Sequence, residues 1–401
     1  MSDFRYAARA ANVIAPAAFA HHRSDMLKLS AGNAYPPALP DLSAEVAEAL
    51  RRRDETLQYG PLYGIDDLRD AIATYLRDDG IIADRDNILV VNGAKQGLEL
   101  ACRVFLEPGD AVIVTAPTYL TAVSIFQANE ASFVSIAQDA DGMLVDELAE
   151  KLRDRAAAGL PAPKLLFDTP DFHNPTGITL SAARRRRVLE LAAEYDFLVI
   201  EDDPYRRVRF EGEAVVPVKS LDTEGRVIGL GTTSKILAPG LKIGWVNAAP
   251  EVMRRMAAIK ADGGSSPFTQ RIVAELIRGG RLAEITGNVT RVMHLHRDAM
   301  VEAFRRHFPE AAFTVPKGGY FLWPELPAAV DSDAFARHAE KFGISVFSGR
   351  LSFAENPRTN FLRLSYSYCS PAEIEGGVAR LAEAFHDLTD SGKMSGRQNG
   401  G

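Results

Sequence analysis

Four short polar stretches of this chain carry side chains able to do chemistry, and each directly follows a run of apolar residues. Asn92-Gly93-Ala94-Lys95-Gln96-Gly97 follows ILVV and leads into the helical stretch LELACRVFL. A glycine-flanked turn opening a helix presents free backbone N–H groups to an anion; it is equally an ordinary strand-to-helix turn. Thr169-Pro170-Asp171-Phe172-His173-Asn174-Pro175-Thr176-Gly177 follows KLLFD. Its Asn-Pro-Thr-Gly is a tight turn, and it is either only that or a device fixing the Asn174 amide as a donor to a ligand oxygen. Asp202-Asp203-Pro204-Tyr205 follows FLVIE. An acidic pair there suits a metal or a cationic ring nitrogen, and no nearby histidine or carboxylate cluster completes a metal set. Gly231-Thr232-Thr233-Ser234-Lys235 follows RVIGL. A lone lysine is ordinarily a solvated surface group. One at a strand end among small hydroxyl residues is a candidate Schiff-base amine.

The elements that must position these groups are legible from periodicity. Residues 88–91, 111–115, 164–168, 197–201, 226–230 and 243–246 are continuous apolar runs, which predict strands of a sheet covered on both faces. Amphipathic stretches lie between them, such as Ser181–Tyr195 with Ser181 as a helix N-cap. Alternation of β and α predicts an α/β fold with a mostly parallel, doubly wound sheet, and such sheets bind ligands at the carboxyl ends of their strands. After residue 280 the pattern changes. A long polar helix over 281–308, short strands around 320–323, 344–347 and 361–365, and a final helix over 371–388 predict a smaller α+β lobe. The expected division is an N-terminal segment 1–44 packed on the small lobe, a large domain 45–280, a small domain 281–388 and a disordered tail 389–401. The run Arg184–Arg187 spans a helical turn and reads as a solvated face.

The 401 residues suffice for two unequal lobes, and 46% hydrophobic with 25% charged residues is a globular composition. A net charge of −7 gives no reason to expect nucleic acid or an anionic membrane as partner. Cys102 and Cys369 are too few for a disulfide framework and read as core thiols. The N-terminus lacks the pattern of a signal peptide and no run nears the ~20 apolar residues of a membrane span, so the expected location is the cytoplasm.

Taken in series, Asn-Pro-Thr-Gly, Glu-Asp-Asp-Pro-Tyr and Ser-Lys-Ile-Leu-Ala-Pro-Gly-Leu-Lys-Ile-Gly-Trp resemble the fold-type-I, class I/II aminotransferase family over roughly residues 30–388. The resemblance implies a pyridoxal 5′-phosphate enzyme. Lys235 then matches the lysine that holds the cofactor as a Schiff base and moves the proton between Cα and C4′. Asp202 matches the carboxylate that keeps the ring nitrogen protonated. Tyr205 and Asn174 match donors to the ring's phenolic oxygen, and Tyr119 the aromatic stacked on the ring. Arg363 matches the bidentate grip on the substrate α-carboxylate, with Gly32 lining the same group. Tyr59 matches a tyrosine sent to the partner subunit's phosphate, which implies at least a homodimer.

The phosphate cup departs from the family pattern. Ala94-Lys95 stands where the family has Ser-Gln, and Lys242 where it has Arg, so a point charge replaces a planar fork. Thr232 keeps the expected hydroxyl. Ala31-Gly32-Asn33-Ala34 lacks the usual Gly-x-Pro. Tyr63, Tyr320 and Phe347 are further candidates for a side-chain pocket, each also readable as core, and Arg23 for a substrate side chain, also readable as surface. The implied reaction is transfer of an amino group from an amino acid to a 2-oxo acid. Elimination, replacement or cyclisation on the same scaffold, of the aminocyclopropanecarboxylate-synthase type, share these residues. A cofactor-binding regulator is the remote third reading, and the chain shows no DNA-binding domain.

Overall fold

A computed structural model describes Ala7, Arg9 and residues 26–398; for residues 391–398 it describes the backbone only. Arg23 lies outside the described residues.

Thirteen short strands form three sheets among the described residues. The first, β1 (Leu27–Lys28), belongs to the N-terminal segment. The main sheet comprises β2 (Ile88–Val91), β3 (Ala111–Ala116), β4 (Ser132–Asp139), β5 (Gly142–Met143), β6 (Leu165–Asp168), β7 (Leu198–Asp203), β8 (Val227–Thr232) and β9 (Gly244–Asn247). Their order is β2-β9-β8-β7-β6-β3-β4-β5. β3, β4, β6, β7 and β8 run parallel, while β9 lies antiparallel between β2 and β8. The carboxyl ends of β2, β6, β7 and β8 therefore share one edge, and the four polar stretches leave from it.

The six apolar runs all became strands, because helices cover both faces and their residues are buried throughout or nearly so. β4 was not foreseen. SFVSIAQD alternates buried and open positions because β4 lies on the flank of the sheet, with one face toward solvent.

The main helices are α1 (Ser43–Arg51), α2 (Asp66–Arg77), α3 (Ala94–Phe105), α4 (Leu120–Ala128), α5 (Ala182–Tyr195), α6 (Arg281–His307) and α7 (Pro371–Gln398). Ser181 does stand at the N-cap of α5, but its side chain makes no capping hydrogen bond. The reading of Arg184–Arg187 as a solvated face is corrected for one residue. Arg185 is 0% exposed. Its guanidinium pairs with Asp171 at 3.0 Å and donates to the carbonyls of Leu180, Val216 and Pro170. One helical turn has an inward side whatever its composition, and here a buried carboxylate and three carbonyls face it.

The small lobe is built from β10 (Phe321–Leu322), β11 (Ile344–Ser345), β12 (Phe347–Ser348) and β13 (Leu362–Ser365), with sheet orders β10-β13-β12 and β1-β11. Pairing of β1 with β11 ties residues 27–28 to this lobe, and Leu29 enters its core beside Phe304, Leu364 and Val378. α6 spans both lobes: Leu282, Ile285 and Val289 pack in the core beside the large sheet, Met300, Ala303 and Phe304 in the small-lobe core. α7 continues to Gln398, into the segment expected to be a disordered tail. Lengthening an existing helix needs no new nucleus, so weak helix formers can be carried along. Cys102 and Cys369 are both buried free thiols. Among the described residues no helix is long and apolar enough to cross a membrane.

Candidate active site

The carboxyl edge of the main sheet opens on a cavity of ≈340 Å³. Eleven of the twelve site residues drawn from the sequence line it: Lys235, Asp202, Tyr205, Asn174, Tyr119, Thr232, Lys242, Ala94, Lys95, Arg363 and Gly32. Tyr59 does not; it is 88% exposed.

Lys235 leaves the end of β8 and reaches across the cavity, where its Nζ donates to the Gly32 carbonyl at 2.6 Å. Burial and the positive charges of Arg363 and Lys95, opposed by Asp202, pull its ammonium down to about 8. About a tenth of the amine is thus neutral at pH 7, far more than for an ordinary lysine, as a nucleophilic amine requires. The rate at which apoprotein takes up pyridoxal phosphate covalently is expected to rise roughly a hundredfold from pH 6 to a plateau above pH 8, as the amine deprotonates. Stopped-flow absorbance across that range checks it, and a flat profile would show that the amine is not the limiting group.

Asp202 and Asp203 end β7, and consecutive strand residues point to opposite faces. Asp202 lines the main cavity, whereas Asp203 lines two small cavities behind the sheet. They therefore do not form a chelating pair. Burial, then the charge of Asp203, pushes Asp202 up to about 7 against the pull of Lys235. A cation placed against it would restore its charge.

Asn174 is buried and its Oδ1 has no hydrogen-bond partner. The turn that holds it closes from Gly177 N–H to the His173 carbonyl at 2.7 Å. Tyr205 is also buried; burial, Tyr119 and Asp202 hold its hydroxyl protonated well above the usual range. Tyr119 is the N-cap residue of α4.

At the far end of the cavity α3 begins at Ala94 after Gly93, whose φ of 84° suits glycine. No side chain caps this helix, and while the Gln96 N–H turns back to the Gly93 carbonyl, those of Ala94 and Lys95 are the ones placed to meet a ligand. Gly244 lets the chain approach closely: a Cβ there would lie 2.7 Å from the Ala94 nitrogen. Lys95 and Lys242, both solvent-accessible, extend this end, and among the described residues neither has an ion-pair partner. Thr232 Oγ1 lies 2.9 Å from Ser234 Oγ and 3.2 Å from the Ile243 carbonyl.

Arg363 rises from β13 and is buried between the rings of Phe321 and Phe347, at 4.7 and 4.5 Å from their centroids. One Nη donates to the Ser30 carbonyl and Nε has no partner. Burial draws it down to about 10, with Tyr205 and Tyr119 opposing.

Among the further candidates, Phe347 holds Arg363 from one side. Tyr320 is core: it lies behind the cavity wall, its hydroxyl donating to the Lys235 carbonyl at 2.7 Å. Tyr63 packs beneath the Arg69 guanidinium, outside the cavity lining. Phe321, Leu98 and Thr121 line the cavity and were not foreseen. Alternation along 320–323 held the signal for Phe321, since only one of two neighbours on a strand can face the site.

The cavity fits pyridoxal phosphate on its own features. An amine without a carboxylate partner among the described residues, the buried Asn174 amide with its N–H donors, a buried acid opposite and an uncapped helix start flanked by two ammoniums match its aldehyde, phenolic oxygen, ring nitrogen and phosphate.

Known proteins agree. Residues 24–381 match the sequence profile described as aminotransferase class I and II. The aromatic-amino-acid aminotransferase 1 of Thermococcus litoralis is 38% identical over 373 residues, covering 91% of this chain and 89% of that protein. The solved kynurenine aminotransferase of Pyrococcus horikoshii superposes with a TM-score of 0.90 at 36% identity, covering 96% and 97% of the two chains. The α-aminoadipate aminotransferase of Thermus thermophilus, solved with N-(5′-phosphopyridoxyl)-L-leucine, gives 0.88 at 30% identity, covering 96% and 98%. A site shaped for pyridoxal phosphate, on a fold shared along nearly its whole length with these enzymes, places the chain in the class I and II aminotransferase family as a pyridoxal-phosphate-dependent transferase.

Proposed function

We propose that this enzyme transfers the amino group of an aromatic L-amino acid to a small 2-oxo acid such as 2-oxoglutarate, and that the residues of this cavity divide the work among them. Bound pyridoxal phosphate supplies an electron sink for negative charge at the substrate α-carbon. Lys235 Nζ would hold the cofactor and, as a free amine, would take the proton from the substrate α-carbon and return it. Asp202 would pair with the ring nitrogen, Tyr205 Oη and the Asn174 amide would donate to the phenolic oxygen, and Tyr119 would cover the ring. The α3 N-terminus with Ala94, Lys95, Thr232 and Lys242 holds the phosphate. Arg363 takes the α-carboxylate beside Gly32. The observation that carries the reading is the convergence on one cavity of an amine and a guanidinium that have no carboxylate partner among the described residues.

The aromatic preference rests on the apolar wall formed by Leu98, Tyr119 and Phe321, and on the names of the relatives at 38% and 36% identity. Purified holoenzyme given phenylalanine or tyrosine alone is expected to release one equivalent of oxo acid per site, and to turn over only when 2-oxoglutarate is added. Continuous release of ammonia without an acceptor would replace this reading by elimination.

A homodimer in the cytoplasm is part of the same proposal. Leu50, Leu57, Tyr59 and Leu62 are exposed apolar side chains within one short stretch, a composition that suits an interface. Leu57→Asp is expected to weaken the dimer at least about tenfold in sedimentation equilibrium. A wild-type protein that sediments as a monomer at micromolar concentration would rule the dimer out.

A further inference from the structure

Behind the sheet, on the face turned away from the cavity, four charged side chains form a quartet around the buried Arg206. Arg206 Nη2 lies 2.5 Å from Asp203 and 3.2 Å from Asp79. Arg207 Nη2 bonds Asp79 at 2.6 Å and its guanidinium lies over the Tyr75 ring at 4.1 Å. Arg206 also uses its backbone N–H on Asp203 Oδ1, at 3.3 Å. Two carboxylates and two guanidiniums balance to zero.

The quartet sits one residue from the catalytic carboxylate. Asp203 is paired in the β7–β8 ladder with Gly231, as Asp202 is with Leu230. With no Cβ, Gly231 leaves room for Trp245, which a Cβ would meet at 2.1 Å. Asp203 and Arg206 thus face each other against the indole, and protein packed around them weakens a charge less than water would. The other charged groups facing Asp203 are Glu201 and Asp171. Each has its own anchorage: Glu201 on the N–H groups of Val218 and Lys219, Asp171 on Arg185 and Arg209.

We propose that Arg206 is a positioning residue that neutralises Asp203, and that this balance sets the electrostatic potential acting on Asp202 and on the cofactor paired with it. The inference rests on the assignment of Lys235 and Asp202 to the cofactor. Arg206 touches neither substrate nor cofactor and acts only through Asp203. Burial raises the Asp203 carboxyl and Arg206 lowers it, in keeping with a charge that the fold keeps only because it is paired.

The test reads the pH midpoint of the absorbance of the bound cofactor, by titration of holoenzyme. Asp203→Asn leaves a net positive charge behind Asp202. A positive potential disfavours protonation of the cofactor's nitrogen linkage to Lys235, so the midpoint is expected to fall by about one pH unit. Adding Arg206→Gln to that variant removes the excess charge and is expected to return the midpoint to within about 0.3 unit of wild type. A merely structural loss would not be reversed by deleting a second buried side chain. Asp79→Asn unbalances the same quartet from its more open side and is expected to lower the midpoint too, so the question is decided even where Asp203→Asn does not fold. A midpoint unmoved in Asp79→Asn, or in Asp203→Asn, or a double variant that stays at the Asp203→Asn value, overturns the proposal. Wild type that showed no titrating cofactor absorbance would instead overturn the assignment of the cavity, so the two failures are distinguishable.

Discussion

A Lys235→Ala variant is expected to bind pyridoxal phosphate only non-covalently and to lose at least about 10³-fold in turnover. General acid–base transfer alone contributes about 10²–10⁴-fold, and the alanine also removes covalent attachment. Folding should be spared. Among the described residues the ammonium makes a single hydrogen bond, to the Gly32 carbonyl, and it is held below its ordinary value by burial and by two neighbouring cations. Removing a cation that its surroundings disfavour costs the apoprotein little, so its thermal midpoint should move by no more than a few degrees. Mass spectrometry after borohydride reduction reads attachment directly: wild type should carry the cofactor mass on the peptide containing Lys235, and the variant should carry none. Attachment elsewhere in wild type would remove the central assignment, whatever the activity.

Much of this site was legible in the sequence because its parts are local. A strand buried on both faces reads as a continuous apolar run, and the residues just past its carboxyl end lie at the binding edge of the sheet. Each of the polar stretches after ILVV, KLLFD, FLVIE and RVIGL therefore carried both its chemistry and its location. The features that stayed hidden depend on pairings between distant segments. Arg185 looked like one of four solvated arginines until the fold brought it to Asp171. The acidic pair left metal and ring nitrogen open, because which face each carboxylate takes is a matter of strand register. Asp203 faces Arg206 and Asp79, and nothing near position 203 announces Asp79. Tyr320 was readable as pocket or core, and Phe321 was passed over although alternation along 320–323 sends only one of the two neighbours into the site.

Arg363 yields the second large effect, and it runs in two directions. The fold buries a guanidinium between two phenyl rings, ties one nitrogen to Ser30 and leaves Nε without a partner. No carboxylate of the chain pairs with it among the described residues. A buried, unpaired cation is costly unless an anion arrives, and an α-carboxylate is such an anion. Arg363→Lys keeps the charge but loses the planar fork and the stacking on Phe321 and Phe347. Its kcat/KM for amino acids is expected to fall about 10²–10³-fold, roughly 3–4 kcal/mol. A primary amine lacking the carboxylate, if accepted at all, should lose no more than about threefold. Arg363→Met goes further, because an apolar chain of similar volume suits a pocket walled by rings. That variant is expected to lose amino acid turnover while its apoprotein becomes equally or more stable, by up to a few kcal/mol. Equal losses on amine and amino acid would show that Arg363 shapes the cavity instead of gripping the carboxylate. A marked loss of stability in Arg363→Met would show that the rings and Ser30 suffice to hold the charge. Stability gained where activity is lost is the signature of a residue kept for a ligand, and the unpaired state of Arg363 is the structural reason to expect it.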